Sequence, residues 1–277
     1  MAPDQGIFEE SQQNVRKSKS ASPATGVLVR EGIELPGGAA TDLSRTFWDD
    51  LYSSASFTDS VPIPVIKAAM EHFGPVAGKT LLELGGGPGT TSLYLGRLGA
   101  NVINLEQSSK AIDDLNARLE RLGISNVRGI CGDATDLAQI EPVDFVFGSM
   151  ILHHLEPFPH FVAQLRRVLK PGGKAFFYEN NANSRLLVWL RQHIVGRLWI
   201  PKYGDKEEFP LTPDEIDELK KAFTVEVIYP EMLFFRLASS YLLKRHFENF
   251  LGKIDEFFFR RRWLLSHSYR QYLLLSA

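Results

Sequence analysis

The chain has 277 residues, of which 44% are hydrophobic and 23% are charged. This composition supports a full hydrophobic core and excludes a disordered or fibrous protein. The formal net charge of −2 creates no overall positive field that would attract nucleic acid. A single cysteine, Cys131, excludes an intramolecular disulfide and a thiolate zinc cage, and it suits the reducing cytoplasm.

The N-terminal part of the chain differs from the rest. Residues 1–45 are rich in Ser, Gln, Ala, Gly and Pro and show no sustained apolar period, which predicts a flexible arm. Residues 46–277 are predicted to form one domain.

No apolar run approaches the roughly 20 residues that span a bilayer, and the polar start lacks the apolar stretch of a secretory signal. We therefore expect a cytoplasmic protein.

Two short helical patterns, one from Phe47 to Tyr52 and one ending near Gly74, come first along the chain. From Lys79 onward, short apolar runs alternate with amphipathic segments of helical length. The runs are LLEL, VINLE, VRGI, VDFVFGSM and AFFYEN. Buried parallel strands have this character because helices cover both faces of their sheet. The fold class is therefore predicted to be α/β, with a doubly wound and mostly parallel sheet.

The alternation stops after Tyr178, and residues 184–221 are predicted to be helical, with a new helix beginning at Thr212. The segment Thr224 to Tyr229 has the character of a strand, and a helical stretch of roughly 30 residues follows it. The segment Ser268 to Leu275 alternates in polarity and predicts a last strand. This C-terminal part therefore adds two strands to the sheet edge, with a helical insertion between them.

A glycine-rich turn, Glu83 to Gly89, lies between the first strand and the next helical pattern. Ligands of open α/β sheets bind at the carboxyl ends of the strands, where glycines let them approach bare backbone. Gly85, Gly87 and Gly89 form the pattern G-x-G-x-G, but Thr90 stands where a dinucleotide fingerprint wants glycine or alanine. This difference counts against an NAD site but does not exclude one.

An acidic residue, Glu106, ends the second strand about 20 residues after the first glycine of the turn. A carboxylate at this place can accept hydrogen bonds from both hydroxyls of an adenosine ribose. NAD enzymes and S-adenosylmethionine enzymes share this feature, so the pair of motifs predicts an adenosine ligand without choosing between them.

Three further segments complete a longer pattern: Gly132-Asp133-Ala134, Asp144 to Gly148, and the turn Leu169-Lys170-Pro171-Gly172-Gly173. With them, residues 79–180 resemble the class I S-adenosylmethionine-dependent methyltransferases. The resemblance implies a seven-stranded sheet of order 3-2-1-4-5-7-6 with strand 7 antiparallel and with helical cap insertions. It also implies methyl transfer from S-adenosylmethionine, which leaves S-adenosylhomocysteine, with no metal required.

The resemblance assigns roles to residues of this chain. Gly85, Gly87 and Gly89 would line the methionine and ribose parts of the cofactor, with Glu83 near the substrate amino group. Glu106, with Gln107 beside it, would hold the ribose hydroxyls, and Asp133, with Ala134 beside it, would accept from the adenine amine. Ser149 and Met150 would flank the cofactor. Gly86 departs from the commonest family pattern, in which many members carry a side chain.

A hydroxyl acceptor would also need a base within hydrogen-bond distance. Glu179 ends the fifth strand and His153 follows the fourth, so both lie on the carboxyl side of the sheet. They are the two candidate catalytic residues. For the neighbouring His154 we expect a structural role.

The cap that distinguishes one acceptor from another is predicted from residues 46–75, 184–221 and 231–265. The last of these carries an apolar stripe at helical spacing. The stripe consists of Leu243, Phe247, Phe250, Leu251, Ile254, Phe257 and Phe258. Packing on the domain is the favoured interpretation, and a hydrophobic substrate pocket comes second. A membrane-surface helix comes third, supported by Arg260 to Arg262 and Trp263 and weakened by three acids.

The expected function is methylation of a small, hydrophobic acceptor of natural-product or lipid-like type, on oxygen in preference to carbon or nitrogen. A nucleic-acid substrate is not expected, since Gly148-Ser149-Met150-Ile151 lacks the Asn/Asp-Pro-Pro-aromatic loop of amino-methylating DNA enzymes. Rival hypotheses are an NAD-dependent oxidoreductase and a non-catalytic binding module. Peripheral membrane contact is kept as a hypothesis, and the oligomeric state is left open.

Overall fold

The structure is a computed structural model, and it describes residues 61–184, 209–243 and 246–277, together with positions 45, 46, 188, 189 and 193. Residues 1–44 of the predicted arm lie outside the described residues, and so do residues 47–60, which include the helical pattern from Phe47 to Tyr52. Much of the predicted cap segment 184–221 also lies outside them. The described residues contain seven strands, which form one sheet in the order 3-2-1-4-5-7-6 when they are numbered along the chain.

The first four strands are parallel and closely follow the apolar runs of the sequence. They are β1 (Thr80–Leu84), β2 (Asn101–Glu106), β3 (Val127–Cys131) and β4 (Val143–Ser149). The centres of β1, β2 and β4 are buried and alternate little in polarity because helices cover both faces. The doubly wound fold class and the strand order predicted from the sequence are confirmed.

Strand β5 (Leu169–Asn180) differs in one respect from the prediction. The Lys170-to-Gly173 turn was expected before the strand, but it lies within it as an irregularity. Val143 pairs with Leu169, and the next pair along the strands is Phe145 with Lys174. The residues between them are pushed out of the ladder, as in a β-bulge.

The two C-terminal strands complete the sheet, as the sequence predicted. Strand β7 (Arg270–Ser276) runs antiparallel to β5, with Arg270 opposite Asn180, and β6 (Thr224–Ile228) pairs antiparallel with β7 at the edge. The first residue of β7 therefore lies at the same end of the sheet as the last residue of β5.

Five helices cover the two faces of the sheet. On one face lie α1 (Ile63–Phe73), α2 (Thr90–Arg97) and α3 (Ser109–Leu122), and on the other lie α4 (Phe158–Val168) and α5 (Pro213–Ala222). Their ends follow local rules: the Ser108 side chain caps α3, and Thr212 and Glu215 form a capping box at the start of α5. The sheet is thus buried between two apolar cores.

Three helices lie between β6 and β7, where one helical stretch was predicted: α6 (Phe235–Leu242), α7 (Glu248–Phe259) and α8 (Arg262–Leu265). Asp255 of α7 is buried, and its carboxylate accepts hydrogen bonds from the N–H groups of Phe234, Phe235 and Arg236 at the start of α6. This contact fixes α6 against α7.

The favoured interpretation of the apolar stripe was packing, and for part of it this was wrong. Leu243, Phe247, Phe250 and Phe257 are exposed, whereas Leu251, Ile254 and Phe258 are partly buried. Phe250 and Phe257 lie on the outer side of α7, which turns its other side to α6. Among the described residues, no helix has both the length and the apolar character needed to cross a membrane.

Candidate active site

The glycine turn lies at the carboxyl end of β1, where the sequence placed it. The amide of Gly85 donates to the carbonyl of Leu105 in β2 over 2.9 Å, so the turn begins in register with the neighbouring strand. Gly87 and Gly89 have φ values of +49° and +77°, a region that side chains disfavour. The turn therefore presents backbone at the edge where β1 and β2 end.

Glu106 lies directly against this turn. Its Oε2 accepts from the amide of Gly87 over 3.1 Å, and its Oε1 accepts from the amide of Ser108 over 2.9 Å. The carboxylate is buried, and these bonds fix its position at the end of β2. The structure thus brings together the two features on which the adenosine prediction was based.

Glu83, predicted near the substrate amino group, is a buried residue of β1. Its Oε2 accepts a hydrogen bond from the hydroxyl of Ser92 in α2. The bond joins the strand before the glycine turn to the helix after it. Glu83 is therefore held at the base of the turn.

The adenine-side residues lie after β3, next to β2. The amide of Gly132 donates to the carbonyl of Glu106 over 2.9 Å. The carboxylate of Asp133 accepts from the amide and the hydroxyl of Thr135, each over 2.8 Å, and Ala134 is buried. Gln107 is partly buried, and its carbonyl accepts a hydrogen bond from the thiol of Cys131. The Gly132 amide thus connects the segment that carries Asp133 and Ala134 to the end of β2.

The end of β4 supplies the other wall of the site. Ser149 and Met150 are partly buried, and Met150 has a φ of +55° while its amide donates to the carbonyl of Tyr178 over 2.8 Å. The guanidinium of Arg270 donates to the side-chain oxygen of Asn180 over 2.5 Å and approaches the Met150 sulfur at 3.3 Å. Strand β7 thus brings a cation to the edge of the predicted site.

The two candidate catalytic residues are in direct contact. Oε2 of Glu179 lies 2.7 Å from Nδ1 of His153, and the exposed fractions of these side chains are 0% and 1%. Oε1 of Glu179 accepts from the amides of Ile151 and Leu152 over 2.8 and 2.7 Å. Glu179 therefore contacts three groups of the turn after β4 and fixes that turn.

Two tyrosines lie beside Arg270 on the same face of the sheet. Burial raises the pKa of Tyr178, which the positive charge of Arg270 partly opposes. Burial also raises the pKa of Tyr272 to about 12, with smaller contributions from Tyr178 and Glu231. Both phenols therefore keep their protons at neutral pH and are donors, not bases.

An apolar cavity of about 450 Å³ lies under the cap, beyond the end of β5. Its lining is mostly aromatic and aliphatic, with a few polar groups. The lining residues are Asn183, Ser184, Met232, Phe234, Phe235, Phe258, Trp263, Leu264 and His267. Pockets of this volume and character are typical of small-molecule sites.

No group of three or more His, Cys, Asp or Glu within the described ranges is arranged to hold a metal ion.

Sequence reasoning missed several residues at this edge. Arg270 could have been found, because the predicted antiparallel β7 begins opposite the end of β5. Asn104 had a weaker signal as a polar residue within the apolar run VINLE. Its buried amide lies against Gly86, and neither amide atom has a hydrogen-bond partner within the described part of the chain. Ser92 carried no signal that distinguishes it from other helical serines.

Comparison with protein families gives one matching model, described as a methyltransferase domain, over residues 82–177. This range runs from within β1 to within β5 and includes all the predicted site residues except Glu179.

Two of the curated relatives are named ubiquinone biosynthesis O-methyltransferase. The Rhizobium etli protein is 25% identical over 190 residues, covering 64% of this chain and 75% of the relative. The Methylobacterium sp. protein is 26% identical over 187 residues, covering 63% and 74%.

Solved structures show the same fold. An S-adenosylmethionine-dependent methyltransferase from Aquifex aeolicus has a TM-score of 0.52 at 16% identity, over 84% of this chain and 97% of that one. A geranyl diphosphate methyltransferase in complex with geranyl diphosphate and sinefungin has a TM-score of 0.51 at 20% identity, over 76% of each chain.

Proposed function

Because the chain belongs to the class I S-adenosylmethionine-dependent methyltransferases, we propose that it methylates a hydroxyl oxygen of a small apolar acceptor. Family membership sets aside the NAD-dependent oxidoreductase. The observation that carries the choice of oxygen is the buried contact between Glu179 and His153, directly after β4. The hydroxyl acceptor also agrees with the relatives named as O-methyltransferases.

The residues at the edge of the sheet fit S-adenosylmethionine. A Cβ atom at Gly85 would lie 2.9 Å from the side chain of Ile151, so the turn is shaped for bare backbone. Glu106 would hold the ribose hydroxyls, Asp133 the adenine amine and Glu83 the amino group. When bound, the cofactor supplies an electrophilic methyl carbon on a sulfonium sulfur, and the protein chiefly has to align the acceptor oxygen with it.

His153 is the residue we assign as the base. The carboxylate of Glu179 lies at Nδ1 and orients the ring, and in this orientation Nε2 would take the proton of the acceptor hydroxyl. Glu179 itself already accepts from two amides and faces this ring, so we assign it as a positioning residue. This division of roles resembles a general base oriented by a third group.

The apolar part of the acceptor is assigned to the 450 Å³ cavity under the cap. Asn181, which follows β5, donates to the carbonyls of Ser266 and Ser268 over 2.9 and 2.8 Å. These bonds attach the segment that lines the cavity to the strand that ends in Glu179 and Asn180. An acceptor with a polar head and an apolar chain could therefore place the head near the strand ends and the chain under the cap.

The test is a methyl-transfer assay with S-adenosylmethionine and a panel of phenols whose apolar substituents increase in length, analysed by mass spectrometry. We expect a methyl ether and a kcat/KM that rises with the apolar substituent. Matched anilines and the same ring without hydroxyl report on nitrogen and carbon acceptors. Exclusive methylation of nitrogen or carbon would overturn the proposal. So would the absence of any transfer by protein that binds S-adenosylhomocysteine, which would instead indicate a binding module.

A further inference from the structure

Helix α7 and the residues on either side of it expose four large aromatic side chains. The exposed fractions of Phe247, Phe250, Phe257 and Trp263 are 71%, 63%, 58% and 74%. At 3.6 residues per turn, Phe250 and Phe257 lie within about 20° of each other on the outer side of α7, and Phe247 directly precedes the helix. A clustered exposed aromatic surface of this kind is typical of contact with a partner or a membrane. We call these four residues the aromatic edge.

Cations flank the aromatic edge. Lys253 and Arg260 are exposed and lie within about 60° of Phe257 around the helix axis, and Arg261 follows them. Long basic side chains can extend past an apolar surface and place their charges in a headgroup layer while the aromatic rings enter the acyl boundary.

The acids of α7 are directed elsewhere. Asp255 is buried and accepts from three amides of the α6 start, and Glu248 lies 3.7 Å from the guanidinium of Arg236. The third of the acids that count against a membrane contact in the sequence analysis is Glu256, and it is exposed. The solvent-facing charge beside the aromatic edge is therefore positive in balance.

We propose that the aromatic edge docks on an anionic lipid surface. A bilayer supplies both an apolar layer for the rings and negative charge for Lys253, Arg260 and Arg261. A second copy of the chain is a poorer occupant, since an isologous contact would bring the same cations of both copies together. The docking is peripheral, and it uses the outer side of a helix whose inner side is packed.

The docking surface adjoins the cavity of the proposed active site. Trp263 belongs to both, and Phe258, which lines the cavity, is the neighbour of the exposed Phe257. If the proposed function holds, a lipid-like acceptor could pass from the membrane into the cavity without crossing bulk water. This part of the inference rests on the proposed function, whereas the docking itself does not.

The experiment is co-sedimentation of the full chain with phosphatidylcholine vesicles, with and without phosphatidylglycerol, in the absence of acceptor and cofactor. We expect binding to the anionic vesicles that weakens with salt. The double variant Phe250→Ala/Phe257→Ala should lower the partition coefficient by about tenfold or more. Lys253→Glu/Arg260→Glu should abolish the preference for phosphatidylglycerol. Leu122→Ala and Lys67→Glu, exposed positions on other helices, are the matched controls.

Three results would overturn the docking proposal: no binding of the wild type to anionic vesicles, equal binding by all variants, or a dimer that the aromatic variant dissociates in sedimentation velocity. Calorimetry with S-adenosylhomocysteine on the same variants shows that they are folded, since neither substitution touches the glycine turn. Because vesicle binding is measured without acceptor, its failure is distinguishable from failure of methyl transfer.

Discussion

The side chain of Glu106 and the backbone of Gly87 are joined by a hydrogen bond of 3.1 Å, which connects the end of β2 to the turn after β1. The bond places a buried carboxylate beside bare backbone at the carboxyl edge of the sheet. Both groups would contact the same adenosine ligand, so a change in either should alter cofactor binding before it alters the fold.

Glu106→Ala should raise the Kd for S-adenosylhomocysteine by about tenfold or more, because hydrogen bonds to a charged group contribute about 1.5–3 kcal/mol. Isothermal titration calorimetry measures the change. Glu120→Ala, an exposed acid at the end of α3, should leave the Kd unchanged. Equal Kd values for the wild type and Glu106→Ala would remove Glu106 from the site.

Gly89→Ala should destabilise the protein by about 2–4 kcal/mol and weaken cofactor binding. Its φ of +77° disfavours a side chain, and the new Cβ would lie 2.5 Å from the Leu115 side chain in the core. Gly123→Ala is the matched control, because Gly123 has a φ of +63° and no atom within 4 Å of the added Cβ. Denaturant unfolding should show the larger loss for Gly89→Ala, and similar losses would contradict the packing argument.

His153→Asn should lower kcat by about 10²–10⁴-fold with little change in the Kd for S-adenosylhomocysteine. His154→Asn, which alters the ring 4.1 Å away, is the control and should have a small effect. A kcat of His153→Asn within twofold of the wild type would reject His153 as the base.

Glu179→Gln separates a positioning role from a catalytic one. Without the negative charge at Nδ1, the imidazolium of His153 is less stabilised, so we expect a slower enzyme whose acidic limb of kcat lies at lower pH. The measurement is a pH profile of kcat. A complete loss of activity at every pH in a folded variant would instead assign the proton transfer to Glu179.

Asp144→Asn should lower the free energy of unfolding by about 1 kcal/mol at neutral pH. Burial raises the pKa of the Asp144 carboxyl, but hydrogen bonds from the Thr80 amide and the Lys170 ammonium outweigh it, so the pKa lies below the ordinary 3.8. A lowered pKa stabilises the fold fully above pH 3.8, and the effect is lost as pH falls through the folded-state pKa.

Denaturant unfolding of the Asp144 variant and the wild type at several pH values tests this sign. The difference in the free energy of unfolding should shrink below pH 3.8. Asp113→Asn, an exposed acid on α3, should give no pH-dependent difference. A difference for Asp144→Asn that stays constant on acidification would contradict the ionic explanation.

Phe258→Ala should raise KM for an acceptor with a long apolar substituent by about tenfold and change kcat little, because Phe258 lines the cavity and stacks on Phe235 at 5.7 Å. Phe250→Ala lies on the same helix but faces solvent, so it is the control in a vesicle-free assay. Equal KM values for the two variants would remove the cavity from acceptor binding.

The central strands could be predicted from the sequence because short, mostly apolar runs alternate there with amphipathic segments of helical length. The site followed from them: once β1 and β2 are parallel neighbours, Gly85 and Glu106 must lie at the same edge. The contact between Glu179 and His153 was also within reach, since the strands that precede them are adjacent.

Other features could not be predicted in this way. Whether an aromatic residue of α7 faces α6 or solvent depends on the rotation of α7 about its own axis, which Asp255 fixes through a buried contact with the start of α6. Helical spacing alone therefore assigned Phe250 and Phe257 to the interior when they are exposed. The close approach of Gly86 to the side chain of Asn104 is likewise a tertiary contact, and the sequence around either residue does not indicate it.

Calorimetric titration of S-adenosylhomocysteine into the purified, folded full chain tests the central claim most directly. The glycine turn and the Glu106 carboxylate predict saturable heat from one site per chain. A folded protein that releases or absorbs no heat with either S-adenosylhomocysteine or S-adenosylmethionine, over the whole accessible concentration range, would contradict it.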